Sequence, residues 1–416
     1  MTRLRHLSLA LLWALLGFTV IAAVPGGMSR ALAAEGVRPE VGKPLQAAQD
    51  LLKTKRYQEA MAKVREADAV GNKTPFESYT VERMRGFVAA TMGDTATAIK
   101  SYEAVVTSGR LPAAEQLKMV EAVATMYYQA KDYSKATSWA SRYLKDGGTD
   151  PQVRTVLIQS YYLNNDCQNV AKQLQSEFQA DESAGRPPSE ERLQMLLSCY
   201  SKQNDNAGRQ VTLEKLVTYY PKKDYWTDLI SRVQRKPGFA DRLSLDLYRL
   251  KLATGNLVAA SDYMEMTQLA LGDDFAGEAK KIIDQGFASG VLGTGSDADR
   301  QKRLRDLAAK RAADGPKNLA QAEAEAAAAK DGTALVNLGF NYVGYGQFDK
   351  GIALMEQGIR KGGLKRPEDD KLHLGIAYLL AGQKAKAVQM FKTVQGMDGT
   401  ADLARLWAVQ ARRSAT

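Results

Sequence analysis

Apolar residues recur along most of this chain at intervals of three and four, and short polar breaks rich in Gly, Asp, Asn and Pro separate the runs. That spacing lines one stripe of a helix, so the pattern predicts a succession of amphipathic helices. The stripes come in pairs. Tyr57-x2-Ala60-x3-Val64-x2-Ala67 is one second helix, and Gly86, Gly93-Asp94 and Ala98-x3-Tyr102-x2-Val105 outline a pair. Ala124-x2-Tyr127 with Tyr133-x2-Ala136-x3-Ala140-x2-Tyr143 outlines the next. Leu157-Ile158-x2-Tyr161 with Val170-x3-Leu174 follows, then Leu193, Leu196-Leu197-x2-Tyr200, Leu213-x2-Leu216 and Pro221. The doublet Tyr127-Tyr128 returns as Tyr161-Tyr162 after 34 residues. From Trp226 to Gly290 the period blurs, although three helices remain legible, with Ala260-x3-Met264 and Ala279-x3-Ile283 as divergent copies.

The clearest units lie near the C-terminus. One reads Leu335-x2-Leu338-Gly339-x2-Tyr342, then Gly346-x-Phe348-x2-Gly351-x3-Met355-x2-Gly358. The next, 36 residues on, reads Leu374-Gly375-x2-Tyr378, Gly382, Ala387-x3-Phe391-x2-Val394. This resembles the tetratricopeptide repeat, Trp-x2-Leu-Gly-x2-Tyr then Ala-x3-Phe then Pro. Leu335 and Lys371 stand where the family has Trp. The resemblance implies an all-α, superhelical solenoid of antiparallel helix pairs, in which a small residue on the first helix lets the second approach. Another family of helical hairpins is the alternative.

The ends and the breaks suggest four segments. Residues 1–33 carry Arg3 and Arg5, an apolar run from Leu7 to Val24, a Pro25-Gly26-Gly27 break and Ala31-Leu32-Ala33. That order reads as a signal peptide cleaved after Ala33, the alternative being an uncleaved membrane anchor. Leu4 separates the arginines, which departs from a twin-arginine signal. An exported chain would be periplasmic in a Gram-negative cell. Residues 34–293 form the first array. Residues 294–332 hold a glycine loop, a charged helix Ser296–Ala313, Gly315-Pro316 and an alanine-rich helix Lys317–Lys330, either a degenerate repeat or a hinge. Residues 333–416 hold the C-terminal pair and a last helix from Ala401 to Arg412, expected to be a polar cap.

Charge and chemistry narrow the function classes. Losing the three arginines of the leader, which has no acid, takes the formal net charge from +10 to +7. For an exported chain that mild excess points away from nucleic acid. His373 is the one histidine after the leader, and Cys167 and Cys199 are the chain's two cysteines, too few for a Cys/His zinc site. The cysteines fall on adjacent units and either form a disulfide or remain two buried thiols. Gly290-x2-Gly293-x-Gly295 has no strand before it, and Gly-x-Ser-x-Gly is absent. No enzyme activity, cofactor or metal is expected.

In the family fold the first helix of each pair lines the groove. Helical spacing then places Arg83, Phe87, Lys118, Glu121, Thr125, Tyr128, Gln152, Thr155, Gln159, Tyr162, Gln194 and Ser198 on that side. Amides, hydroxyls and aromatic rings suit an extended peptide, while the bland alternative is a solvated face. The Lys-x3-Asn spacing of carboxylate-clamping relatives is missing. The expected function is therefore a scaffold binding protein partners of an envelope assembly or transport complex. The alternative is a binder of a cell-wall or exported polysaccharide.

Overall fold

The computed structural model describes residues 36–413, so the leader and the last three residues lie outside it. Among the described residues every regular element is helical. Contacts divide the described residues into two compact units, the first ending at residue 180 and the second beginning at 181. The first contains α1 (Pro39–Lys53), α2 (Tyr57–Asp68), α3 (Pro75–Met92), α4 (Thr95–Thr107), α5 (Ala113–Gln129), α6 (Tyr133–Lys145) and α7 (Pro151–Leu163). Helix α8 (Cys167–Ser183) spans the division.

A recurrent turn makes the pairs from α3 to α8. The chain steps through a left-handed residue and then a capping residue: Gly93-Asp94, Lys131-Asp132, Asn165-Asp166. The Asp94 and Asp132 carboxylates accept from the backbone N–H groups of Thr97 and Lys135, both at 3.1 Å, closing the N-termini of α4 and α6. Helix α3 opens with a capping box, Thr74 and Glu77, behind Pro75 at its first position. Glu77 is fully buried and also takes the Arg38 guanidinium at 2.8 Å, joining the start of α1 to α3. Those hydrogen bonds hold the Glu77 carboxyl down at about 2.

Small residues set the spacing within pairs, as the repeat pattern requires. A Cβ added to Gly86 would lie 2.5 Å from the Tyr102 ring, and one added to Gly375 would lie 2.4 Å from Phe391. At Gly339 the obstruction would be the Gly351 carbonyl oxygen at 2.5 Å. Alanine does the same for α5 and α6, where Ala124, Ala136 and Ala140 are fully buried.

A second device joins three of the pairs to the helix before them. The Tyr127 hydroxyl donates to Glu103 at 2.6 Å. Lys135, eight residues on, donates to that hydroxyl at 3.2 Å with its ammonium 4.9 Å above the ring. In the second unit Tyr342 donates to Glu323, and Lys350 sits 4.2 Å over the Tyr342 ring. Tyr378 donates to Glu356 at 2.6 Å, with Lys386 5.3 Å over its ring.

The second unit continues with α9 (Glu190–Lys202), α10 (Asn206–Tyr219), α11 (Lys223–Gln234), α12 (Ser244–Ala253), α13 (Ala260–Gly272) and α14 (Ala276–Ala288). Then come α15 (Ala298–Ala328), α16 (Thr333–Gly344), α17 (Phe348–Lys361), α18 (Pro367–Leu380), α19 (Lys384–Thr393) and α20 (Thr400–Arg413). Two expectations change here. The segment expected as two helices broken at Gly315-Pro316 is one helix of 31 residues, with Pro316 inside it. Gly315 serves closeness there rather than a break, because an added Cβ would fall 1.7 Å from the Tyr345 hydroxyl oxygen. Pro316 has no N–H for the carbonyl one turn back, so the helix runs through it with one ladder bond missing.

The last helix is not a polar cap. Leu403, Ala404, Leu406, Trp407, Ala408, Val409 and Ala411 are all buried, and α20 packs on α10, α12, α18 and α19. Charged pairs surround this closure: Arg405 with Glu214 at 2.7 Å, Lys236 with Asp402 at 2.7 Å, and Arg242 with Asp369 at 2.7 Å and Asp398 at 2.6 Å. The Ala240 N–H also donates to the Asp398 carbonyl at 2.9 Å.

Candidate functional site

Ten of the twelve residues expected to line a groove belong to the first unit and stand on α3, α5 and α7. Gln194 and Ser198 stand on α9 of the second unit. Consecutive first helices are tied by the expected residues themselves. Arg83 of α3 meets Glu115 of α5 at 3.0 Å and also donates to the Tyr79 hydroxyl at 3.2 Å. The Tyr128 hydroxyl of α5 donates to the Gln159 side-chain oxygen of α7 at 2.8 Å. Its ring tilts against Tyr133 with centroids 5.8 Å apart.

These contacts alter the reading of several positions. Tyr128 and Tyr162 are half-buried rather than freely presented, and Tyr128 packs on the same apolar cluster as the buried Tyr127. Tyr161, expected in the packing position, is itself only half-buried. Phe87 is a correction: at 8% exposure it is a core side chain. Thr155 spends its hydroxyl on the Pro151 carbonyl at 3.0 Å, one turn back. Lys118 and Gln152 are exposed, and Glu121 and Thr125 are half-buried between them in the α5 stripe. Burial raises the Glu121 carboxyl above its ordinary range; nearby Asp150 adds to the rise and Lys118 opposes it. The face is therefore a mixed-charge seam with aromatic patches.

On α9 the Gln194 amide donates to the Tyr225 hydroxyl at 2.5 Å, and that hydroxyl donates to Glu190 at 2.5 Å. Neither Cys167 nor Cys199 is a free thiol.

The densest polar arrangement escaped the sequence reading. Arg249 is buried and forks between Asp246 at 2.7 Å and Glu278 at 2.6 Å. Its guanidinium also lies 5.1 Å from the Phe275 ring centroid and 4.7 Å from that of Phe340. His373 stacks on Phe340, centroids 4.6 Å apart, and its Nε2 meets Asp246 at 3.0 Å. Burial alone would raise the Asp246 carboxyl, but His373 and Arg249 outweigh it and hold it at about 2. These ion pairs and ring contacts brace α12, α14, α16 and α18. In sequence, Asp246 and Arg249 look like an ordinary surface pair one turn apart.

Beside this cluster, α12, α14 and α16–α20 line a half-open cavity of about 440 Å³. Among the described residues no group of three or more His, Cys, Asp or Glu is placed to hold a metal.

No family model matches this sequence, and no curated relative does. Solved structures do show likeness. A chain of the Naa15/Naa10 assembly bound to HypK-THB is 15% identical, with 85% of this chain and 57% of that chain covered and a TM-score of 0.33. This chain thus spans little more than half of that one. Yeast Tom70 is 10% identical over 90% of this chain and 96% of its own, TM-score 0.24. The P58(IPK) TPR domain is 12% identical over 90% of this chain and 97% of its own, TM-score 0.22. With its own close-packed glycine positions and repeated Asp-capped turns, the chain is an all-helical protein built of tetratricopeptide-like pairs.

Proposed function

We propose that this protein is an exported, non-catalytic adaptor that binds a protein partner of the cell envelope across the first-helix face of α3, α5 and α7. The observation that carries this reading is the seam itself. Half-buried Tyr128 and Tyr162 lie among exposed Lys118 and Gln152, and Arg83 and Gln159 hold the helices in fixed register. Amphipathic rings supply contact area at low entropic cost, and neighbouring amides and charges can bond a partner's backbone. Export is supported by the ordered charge, apolar run and alanine site of residues 1–33. No helix among the described residues is long and apolar enough to cross a membrane.

Because Tyr128 also packs on the core, exposed positions make the cleaner probes. A photocrosslinking residue at Gln152 should trap a discrete protein from envelope extract, and one at Lys172 of α8 should not. Lys118→Glu should abolish the Gln152 product while leaving the unfolding midpoint unchanged. Equal products from both positions, or retention of a glycan polymer with no protein product, would refute the assignment. The intact mass of the exported form should begin at Ala34.

A further inference from the structure

The 440 Å³ cavity of the second unit is independent of the first-helix seam, and its lining is unlike that seam. Its walls are apolar, formed chiefly by Leu252, Ile282, Phe340, Phe348, Leu379 and Trp407. Leu380, 57% exposed, extends the apolar wall to the surface. The volume falls within the roughly 300–1,000 Å³ of small-ligand pockets. Four charged side chains line it: Arg249, Glu278, Lys281 and Lys384. Arg249 and Glu278 are paired with each other. Lys281 is exposed and Lys384 half-exposed, and neither takes part in an ion pair among the described residues. The cavity thus combines a long apolar wall with two uncommitted ammonium groups.

We propose that this cavity binds a single-chain amphiphile carrying one carboxylate, its alkyl chain along the apolar wall and its head between Lys281 and Lys384. Charge decides the sign of the head, because the lining sums to two positive charges in excess. Polar bookkeeping decides against a peptide. Every buried peptide unit brings a donor and an acceptor that need partners. The walls are helices whose own backbone groups are already bonded along the helix, and of the two amide side chains in the lining Gln410 is engaged with the Ala253 carbonyl at 2.9 Å, which leaves Gln285 alone to serve a buried peptide. An alkyl chain brings no such requirement. Arg249 has no fork left for the bidentate pairing that phosphate favours, so the head meets the two ammonium point charges alone.

Trp407 supplies a built-in reporter, since it lines the cavity and its buried indole N–H has no hydrogen-bond partner. Titration of the full mature protein with dodecanoate, below its micelle concentration, should give a saturable change in tryptophan emission that Trp407→Phe removes. Lys281→Gln combined with Lys384→Gln should weaken dodecanoate binding at least tenfold, with circular dichroism and unfolding midpoint unchanged. Dodecanol should bind the unaltered protein at least tenfold more weakly than dodecanoate. The proposal is overturned by the absence of saturable binding, by equal affinity for the alcohol, or by a lysine-deficient variant that binds undiminished. Tighter binding of a lysophospholipid than of dodecanoate would overturn it as well.

Discussion

Three acids crowd the first turn of α18, and their fates differ. Glu368 meets Lys371 at 2.8 Å and accepts from the Gln395 N–H at 2.6 Å, while Asp369 takes Arg242. Asp370 is 5% exposed, and its Oδ2 has no hydrogen-bond partner. A helix N-terminus favours a negative charge by roughly 0.3–1 kcal/mol, yet burial wins and lifts this carboxyl to about 6. Asp369 adds to the rise, and His373 and Arg366 oppose it. Asp370→Asn removes the ionisation while keeping the shape. In the unaltered protein the unfolded chain releases this proton near 3.8 and the folded chain holds it to about 6. Stability contributed by the protonated form is present below the lower value and is lost as pH rises through the upper one. That interval corresponds to at most about 3 kcal/mol, and residual solvent access to the carboxyl reduces it to about 1–2 kcal/mol. The Asn variant should therefore be about 1–2 kcal/mol more stable at neutral pH. Urea unfolding of both proteins at several pH values between about 4 and 7.5 reads the difference. It should vanish at the acid end and grow with pH. A constant difference, or a variant less stable at neutral pH, would show that burial does not govern this carboxyl.

Three further perturbations test the packing. Gly375→Ala drives a methyl group to 2.4 Å from Phe391 and should cost about 1–3 kcal/mol by denaturant titration. Gly272→Ala, where nothing lies within 4 Å, should leave the midpoint unchanged or slightly raised; equal losses at both sites would remove the close-approach argument. Arg249→Met breaks the pair with Glu278, leaves Asp246 with His373 alone and should cost about 3–5 kcal/mol, so a neutral result would mean the cluster is not braced as described. Thiol titration in denaturant without reductant should find no free cysteine, and two titratable thiols would end the disulfide expected of Cys167 and Cys199.

The helix pairs were legible in the amino-acid sequence because local chemistry makes them. A left-handed residue followed by Asp, a small residue facing an aromatic one, and apolar spacing of three and four all lie within about one repeat of 34 residues. The closure of the second unit was not legible. Arg405 meets Glu214 across 191 positions, and no local pattern on α20 announces which helices will cover it. Gly315-Pro316 read as a break because both residues disfavour helix; the neighbouring Tyr345 hydroxyl, 30 positions on, is what makes the glycine useful inside one. On the candidate seam, helical spacing assigned residues to α3, α5 and α7 but could not show Phe87 turned inward. Nor could it show the Tyr128 hydroxyl already engaged by Gln159, since both outcomes depend on how the next pair docks.

The tyrosine joints carry a mechanical consequence. In each, the ring belongs to one pair, the carboxylate to the helix before it, and the lysine to the ring's own second helix. Tension along the chain would load the hydroxyl–carboxylate bond across the joint and, at Tyr342, the Lys350–Glu323 pair beside it. Yield would then fall between pairs and leave each pair whole, so extension should proceed in discrete steps, one hairpin of helix at a time. The Tyr-to-Lys spacing of eight marks those fracture planes at Tyr127, Tyr342 and Tyr378.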